Sequence, residues 1–418
     1  QTVIGMVLLA LYHPWLLAFD VLLVLAMLFI VFVLGRGAIG TSILESKAKY
    51  ALEAWLEQIA GHLVTFKSMG AAAYATQRSQ ALLDEYLAYR AKHFRILLRQ
   101  IVGSFALQAI ASSALLGIGG WLVIDRQLTL GQLVASELIV ALMVSAFTKF
   151  GKQLEVFYDL LAAIDKLGAL VDLPLERVDG EALLTPGRPA SLGLRSVEVG
   201  YADSETPVVS IAALNVAPGE RLGVTGPAGA GKSTFADLIF GLREPTRGVV
   251  LVDDVDIRTV PPVDLREHVS LVRGLEVFPG SVVDNVRLGR EDLSLADVND
   301  ALRRVGLLDE LRALPEGLST ILHPSGRPLS SGQAWRLMIA RATVGQPRLL
   351  VVDRVLDRID LSSPSGQETL DVLFDAKAPW TLVCITDNDT LLSRCARTVV
   401  FEGGRVLETT NKTAEAQS

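Results

Sequence analysis

The chain has 418 residues, half of them apolar and 20% charged, with a mean hydropathy of +0.40; ordinary soluble domains carry about 25% charged residues, so a wholly soluble protein of average make-up is disfavoured. The length predicts two or three domains, and a net charge of −7 argues against a general nucleic-acid binder. Two cysteines, Cys384 and Cys395, make neither a disulfide framework nor a zinc knuckle and predict packed thiols in a reducing compartment.

Taken in order, Thr2 to Tyr12 is apolar but would make a helix of roughly 16 Å, short of a ~30 Å hydrocarbon core. The chain is therefore expected to begin inside a membrane helix and to be a fragment. His13-Pro14-Trp15 breaks the pattern, and Leu16 to Leu34 then runs long enough to span, interrupted only by Asp20. Residues 36–100 are charged with a helical pattern, and they carry Arg36, Lys47, Lys49, Lys67, Arg78, Arg90, Lys92, Arg95 and Arg99. Apolar runs return at Ile101 to Ile124 and, after Asp125-Arg126-Gln127, at Leu128 to Phe147. Apolar runs of about 19 or more residues are harder to hide in a soluble core than to place in lipid.

The spans are thus predicted at about 1–12 (in part), 15–35, 101–124 and 128–148, within an all-α membrane domain at 1–172. The excess of Lys and Arg puts 36–100 on the cytoplasmic side, and with it everything after 148. The expected location is a bacterial inner or plasma membrane, crossed several times. Asp20 and Lys149 are expected near the interfaces, reaching toward water. Glu137, two to three turns into its helix, leaves an inner cavity open.

Pro, Gly and Arg between Asp172 and Pro189 predict a linker at 173–190, ahead of an α/β domain at 191–408 and a disordered polar tail at 409–418. Strands are expected at Leu192 to Tyr201, Arg221 to Thr225, Val249 to Val252, Leu349 to Val352 and Thr381 to Ile385. Their alternation with helical stretches is the pattern of a mainly parallel sheet.

Gly226-Pro227-Ala228-Gly229-Ala230-Gly231-Lys232-Ser233-Thr234 fits G-x-x-x-x-G-K-[ST], following an apolar strand and opening a helix. Glycines let backbone N–H groups turn inward around a phosphate, and the helix start adds positive potential. Lys232 supplies a full charge to the β- and γ-phosphates, and Ser233 a hydroxyl to Mg²⁺. A nucleotide site is predicted.

Leu329-Ser330-Ser331-Gly332-Gln333, with Arg336 and Ala340-Arg341-Ala342 after it, resembles the signature motif of the ABC transporter ATPases, whose usual form is LSGGQ. Arg348-Leu349-Leu350-Val351-Val352-Asp353 is similar to their Walker B strand, and Tyr201 sits where that family places an aromatic against adenine. In the front half, Phe66-Lys67-Ser68-Met69-Gly70 and Leu128 to Val134 resemble stretches of the exporter type, which carries six spans per subunit, so the first two and part of the third are expected to be missing. The resemblance implies an all-α membrane domain joined to an α/β P-loop ATPase, with ATP and Mg²⁺ as cofactors and Ser233 and Asp353 on the metal. It implies a dimer in which two ATP molecules lie between one subunit's phosphate loop and the other's signature. Residues around Phe66 to Thr76 resemble a helix that passes closure to the spans.

Three positions depart from the family. After Asp353 the usual Glu is Arg354, a permanent cation that cannot serve as a general base. After Thr386 the usual His is Asp387, an anion expected to repel a γ-phosphate. Val272-Arg273-Gly274-Leu275 occupies the place of a glutamine. Arg354 and Asp387 are expected to pair with each other; drift in a non-working site is the alternative. With the signature nearly intact, the chain reads as the degenerate half of a heterodimer exporting an unidentified substrate, with a homodimer possible. A non-hydrolysing membrane regulator or assembly component is the competing function. The apolar runs argue against a soluble ABC ATPase, and the signature against an unrelated P-loop kinase or GTPase.

Overall fold

A computed structural model describes residues 2–68, 70–180, 184, 187–200, 207–324 and 326–411. It divides into two compact units, Gln1–Pro174 and Leu175–Ser418.

The first unit is all helix: α1 (Thr2–Tyr12), α2 (Pro14–Phe29, continued by a π turn at Ile30–Leu34), α3 (Ala38–Gly61), α4 (Leu63–Phe66), α5 (Ala71–Ile124) and α6 (Leu130–Val171). His13 does more than break the apolar pattern. Its ring accepts the Trp15 N–H at 3.2 Å, and Pro14 occupies the first helical position, where a missing N–H costs nothing. At the start of α6, Thr129 and Gln132 form a capping box, which satisfies two otherwise orphaned donors. Three helical stretches, Pro14–Gly61, Ala71–Ile124 and Leu130–Phe147, are long and apolar enough to cross a membrane. Their outward faces carry large apolar side chains such as Leu25, Phe32, Ile110, Trp121 and Leu142. In water such a surface would be a liability; in hydrocarbon it is the ordinary one.

No break separates the charged segment from the span after it: α5 runs through both over 54 residues, about 80 Å of helix. Three cross-helix pairs give the sense of packing. Thr41 meets His93 at 2.9 Å, Glu45 meets Arg90 at 2.9 Å, and Trp55 donates to Ser79 at 3.0 Å. Each step forward on α3 is a step back on α5, so the two are antiparallel. By the same reasoning α6 runs parallel to α3, since Ser42 reaches the Tyr158 carbonyl and Lys47 reaches Asp165. At the turn between α3 and α5, Trp55 packs edge-on against Phe66 and Tyr74, with centroids 5.5 and 6.0 Å away.

Asp20 does not reach toward an interface. Its side chain is fully buried in the bundle and neither carboxylate oxygen has a hydrogen-bond partner; with a single methylene it is too short to reach water as Lys and Arg do. Glu137 also has one buried, unpartnered oxygen. The Lys149 side chain lies outside the described residues.

The second unit contains β1 (Leu192–Val199), β2 (Val209–Val216), β3 (Arg221–Thr225), α7 (Lys232–Ile239), β4 (Arg247–Val252), β5 (Val255–Asp256), α8 (Pro262–His268), β6 (Val269–Arg273), β7 (Gly280–Ser281), α9 (Val282–Arg287), α10 (Leu295–Arg304), α11 (Leu308–Arg312), β8 (Ile321–Leu322), α12 (Ser331–Thr343), β9 (Leu349–Asp353), α13 (Pro364–Phe374), β10 (Thr381–Ile385), α14 (Asp389–Leu392), β11 (Arg397–Glu402) and β12 (Arg405–Asn411). Ten strands form one sheet in the order β5-β4-β1-β2-β12-β11-β3-β10-β9-β6. It is mixed rather than mainly parallel: β11-β3-β10-β9-β6 are parallel, while β1 pairs antiparallel with β2 and β4, and β12 antiparallel with β11. Within the parallel block, β9 and β10 are buried at every residue, as strands covered on both faces are. One core packs Phe235 and Phe401 under α7; a second gathers Trp380 with the helices α9 to α13. Cys384 and Cys395 are buried free thiols.

Two predicted boundaries need correction. Residues 175–190 do not bridge as a free linker. Arg177 donates to the Val260 carbonyl at 2.8 Å, Glu176 pairs with Arg266, and Leu184 and Ala190 are buried, so the segment belongs to the second unit. The tail does not begin at 409 either, because β12 continues to Asn411 along β11 (Thr398 opposite Thr410, Arg397 opposite Asn411). Residues 412–418 lie outside the described residues.

Candidate functional site

Register assembles the site. In the parallel strands, Val224 stands beside Ile385, Ile385 beside Asp353, and Asp353 beside Arg273. The carboxyl ends of β3, β10, β9 and β6 therefore form one row, and the chain leaving each delivers Gly226, Asp387, Arg354 and Gly274 to the same edge. Ligands of open α/β sheets bind outside that edge.

The loop between β3 and α7 needs its glycines. Gly226, Gly229 and Gly231 have φ of 138°, 80° and 92°, values that side-chain-bearing residues adopt at a cost. A Cβ at Gly226 would collide with the Phe401 carbonyl oxygen, and one at Gly231 would lie 2.6 Å from a Val209 methyl. Ala230 is buried beneath the loop, while Pro227, Ala228 and Gly229 form its exposed rim. Lys232 opens α7, and its ammonium donates to the carbonyls of Gly226 and Pro227 (3.0 Å to the latter). Only 5% of that side chain is exposed. Burial pulls its pKa below the ordinary lysine value, and the neighbouring Asp387 carboxylate works against that. An incoming phosphate would relieve the same desolvation, so the lysine is poised for an anion.

Ser233 Oγ donates to Asp353 Oδ2 at 3.0 Å. Arg354, at φ 58°, donates its backbone N–H to the Ile385 carbonyl at 2.9 Å. That ties the end of β9 to β10 and brings the guanidinium 3.2 Å from Asp387 Oδ2. The ion pair expected from the sequence is present. Asp387 also accepts from Thr225 Oγ1 at 3.1 Å and stands 3.7 Å from the Lys232 ammonium. Thr234 is buried on α7.

Arg273 was legible in the sequence only as a missing amide. Its guanidinium reaches Asp353 Oδ2 (Nε, 2.9 Å), Asp237 Oδ1 (Nη1, 2.7 Å) and the Ser233 carbonyl (Nη2, 2.8 Å). No local signal gives this contact, because it depends on which strand β6 pairs with. Burial lowers the Arg273 pKa, but Asp237 and Asp353 outweigh that and leave it raised.

The two expected metal ligands, Ser233 and Asp353, stand together, and a serine hydroxyl that donates to a carboxylate keeps its lone pairs for a cation, so the pair could hold Mg²⁺. The carboxylate oxygen facing Ser233 already carries the Arg273 guanidinium. That guanidinium is paired with Asp237 as well as Asp353, so its charge is offset beside the site.

The signature segment is preformed. Leu329 is buried, Ser330 caps α12, and Gln333 completes a capping box with it. Gln333 then donates to Glu310 at 2.7 Å, and Arg336 grips the same carboxylate at 2.8 and 2.9 Å. Ser330 and Ser331 stay exposed, and nothing lies within 4 Å of where a Gly332 Cβ would be. A helix start open to solvent can receive an anion. Tyr201 lies outside the described residues.

The ABC transporter family profile matches residues 209–356, a stretch that takes in the phosphate loop, the signature and Asp353. The chain belongs to the ABC transporters. It is 30% identical over 303 residues to a multidrug efflux ATP-binding/permease protein of Mycobacterium tuberculosis (72% of this chain, 25% of the relative). It is 28% identical over 318 residues to the mycobactin import ATP-binding/permease protein IrtB of Mycolicibacterium thermoresistibile (75% of this chain, 54% of the relative). The chain thus spans a quarter to about half the length of these curated relatives. A solved structure of a bacterial Atm1-family ABC exporter with ATP bound superposes with a TM-score of 0.88 at 22% identity, covering 100% of this chain and 74% of that one; it establishes the fold. With three helical stretches among the described residues long and apolar enough to cross a membrane, ahead of the ATPase domain in sequence, this ABC transporter chain is an integral membrane protein.

Proposed function

We propose that the chain is the ATP-binding, hydrolytically impaired half of a heterodimeric ABC exporter, holding ATP on residues 226–234 and lending its signature at 329–333 to the partner's ATP. The observation that carries this reading is the Arg354–Asp387 pair at 3.2 Å, set beside Lys232 where a general base and a histidine would act. Arginine stays protonated, so no group at that position takes a proton from water. Two donors already hold Asp387 and the Lys232 ammonium stands beside it, which keeps the carboxylate at the γ-phosphate end. In a homodimer both sites would inherit this, which favours a partner with its own Glu and His. The substrate is unidentified. Outward transport is the direction of the efflux relative and of the exporter neighbour, while the import relative is evidence that related chains also work inward.

The experiment is ATPase activity of the purified chain, alone and with candidate partner subunits. Activity appearing only in the mixed complex supports the reading, and strong turnover by the lone chain overturns it. In that complex, Arg354→Glu with Asp387→His is expected to raise turnover on the order of tenfold or more, the scale of a positioned general base. No gain at all favours a permanently non-hydrolysing regulator. Substrate uptake into inverted and right-side-out vesicles reads the direction.

A further inference from the structure

We propose that Asp20 and Glu137 form the charge-recognising part of the cargo site, so that the transported molecule is an apolar body bearing one positive charge, such as a protonated amine or another organic cation. The proposal deepens the exporter reading and rests on the chain being a transporter subunit.

Asp20 sits on the packed face of α2. Leu16, one turn before it, and Leu23, about one turn after, are buried in the core that gathers Ala111 and Leu115 of α5 with Val140 and Met143 of α6. Asp20 is itself fully buried, and both its carboxylate oxygens lack a hydrogen-bond partner. Glu137 on α6 is half-buried and has one enclosed oxygen in the same condition. The two acids lie at one level of the bundle. α2 and α3 belong to one helical run, and α6 runs parallel to α3. Counted back from the contact of Ser42 with the Tyr158 carbonyl, Asp20 lies about 33 Å along its run and Glu137 about 32 Å along its own.

The spans supply these acids with no counter-charge. The apolar stretches 2–35, 101–124 and 128–147 contain neither Lys nor Arg. Of the other titratable groups, α1 brings Tyr12, His13 caps α2, and Lys149 follows Glu137 on α6 about 18 Å further on. Asp125 and Arg126, in the turn before α6, are exposed. A carboxylate in a low-dielectric interior is costly unless a cation stands against it, and intramembrane acids mark the paths of what a transporter carries. The counter-charge must therefore enter from outside the chain. No group of three or more His, Cys, Asp or Glu able to hold a metal ion occurs among the described residues, and the Leu, Val and Met side chains around Asp20 suit an organic cation.

The test is equilibrium binding of radiolabelled tetraphenylphosphonium to the full chain in phosphatidylcholine nanodiscs, with radiolabelled ATP binding measured on the same preparations. Beyond the background of empty nanodiscs, the wild type is expected to bind this cation saturably and not to bind tetraphenylborate, an anion of the same shape. Asp20→Asn, which keeps the side-chain shape, is expected to weaken cation binding about tenfold or more, and Glu137→Gln about threefold or more. Asp20→Glu is expected to keep most of the affinity. Absence of saturable cation binding by the wild type, equal binding of both ions, or unchanged affinity in Asp20→Asn overturns the proposal. Should Asp20→Asn lose ATP binding as well, Glu137→Gln decides by the same criterion. A wild type that binds the cation but not ATP leaves this site standing and removes the phosphate-loop reading instead.

Discussion

Lys232 and Arg354 are both cations at one strand-end row, yet their surroundings give them different jobs. Lys232 is 5% exposed and held by two carbonyls that an anion could replace. Removing it deletes a charge-assisted contact to phosphate, worth about 1.5–3 kcal/mol. Lys232→Ala is therefore expected to weaken ATP binding by about tenfold to a hundredfold, read by equilibrium dialysis; unchanged affinity would place the triphosphate elsewhere. Arg354 is 46% exposed and Asp387 54%, and exposed ion pairs contribute only about 0–1 kcal/mol. The pair's importance lies in the chemistry it blocks, so Arg354→Ala should leave the domain's melting temperature nearly unchanged. A large drop would show that the pair is structural.

Among the elements, α12 shows how local sequence serves two purposes. Ser330 and Gln333 form the capping box that starts the helix, and Gln333 and Arg336 share Glu310 behind it. Ser330→Ala should cost about 1 kcal/mol of domain stability, the usual price of a lost cap, and should lower ATPase activity of the mixed complex while leaving ATP binding by the lone chain unchanged. Undiminished activity of the mixed complex would restrict Ser330 to capping. The phosphate loop, α12 and the β9 strand were legible because glycine spacing, capping residues and apolar runs are local signals. The role of Arg273 was not, because it depends on the pairing of β6 with β9, 80 residues apart in its contact with Asp353. Asp20 misled for a similar reason: hydropathy along one helix does not say which side faces its neighbours, and packing buried it.

For the whole molecule, apolar stretches and basic bias placed the spans, while two boundaries moved once packing was visible. Glu176, Arg177, Leu184 and Ala190 pack within the second unit, and β12 outlasts the predicted start of the tail. Pro, Gly and Arg content suggests a linker and polarity a disordered tail, but long-range hydrogen bonds hold the chain at both places. The central claim is that this chain retains ATP without consuming it. The most direct measurement is the chemical state of γ-labelled ATP held by the purified wild-type chain after prolonged incubation, with Lys232→Ala as the control. The account predicts ATP retained intact by the wild type and lost from the variant. Rapid release of labelled phosphate by the lone wild-type chain would contradict it.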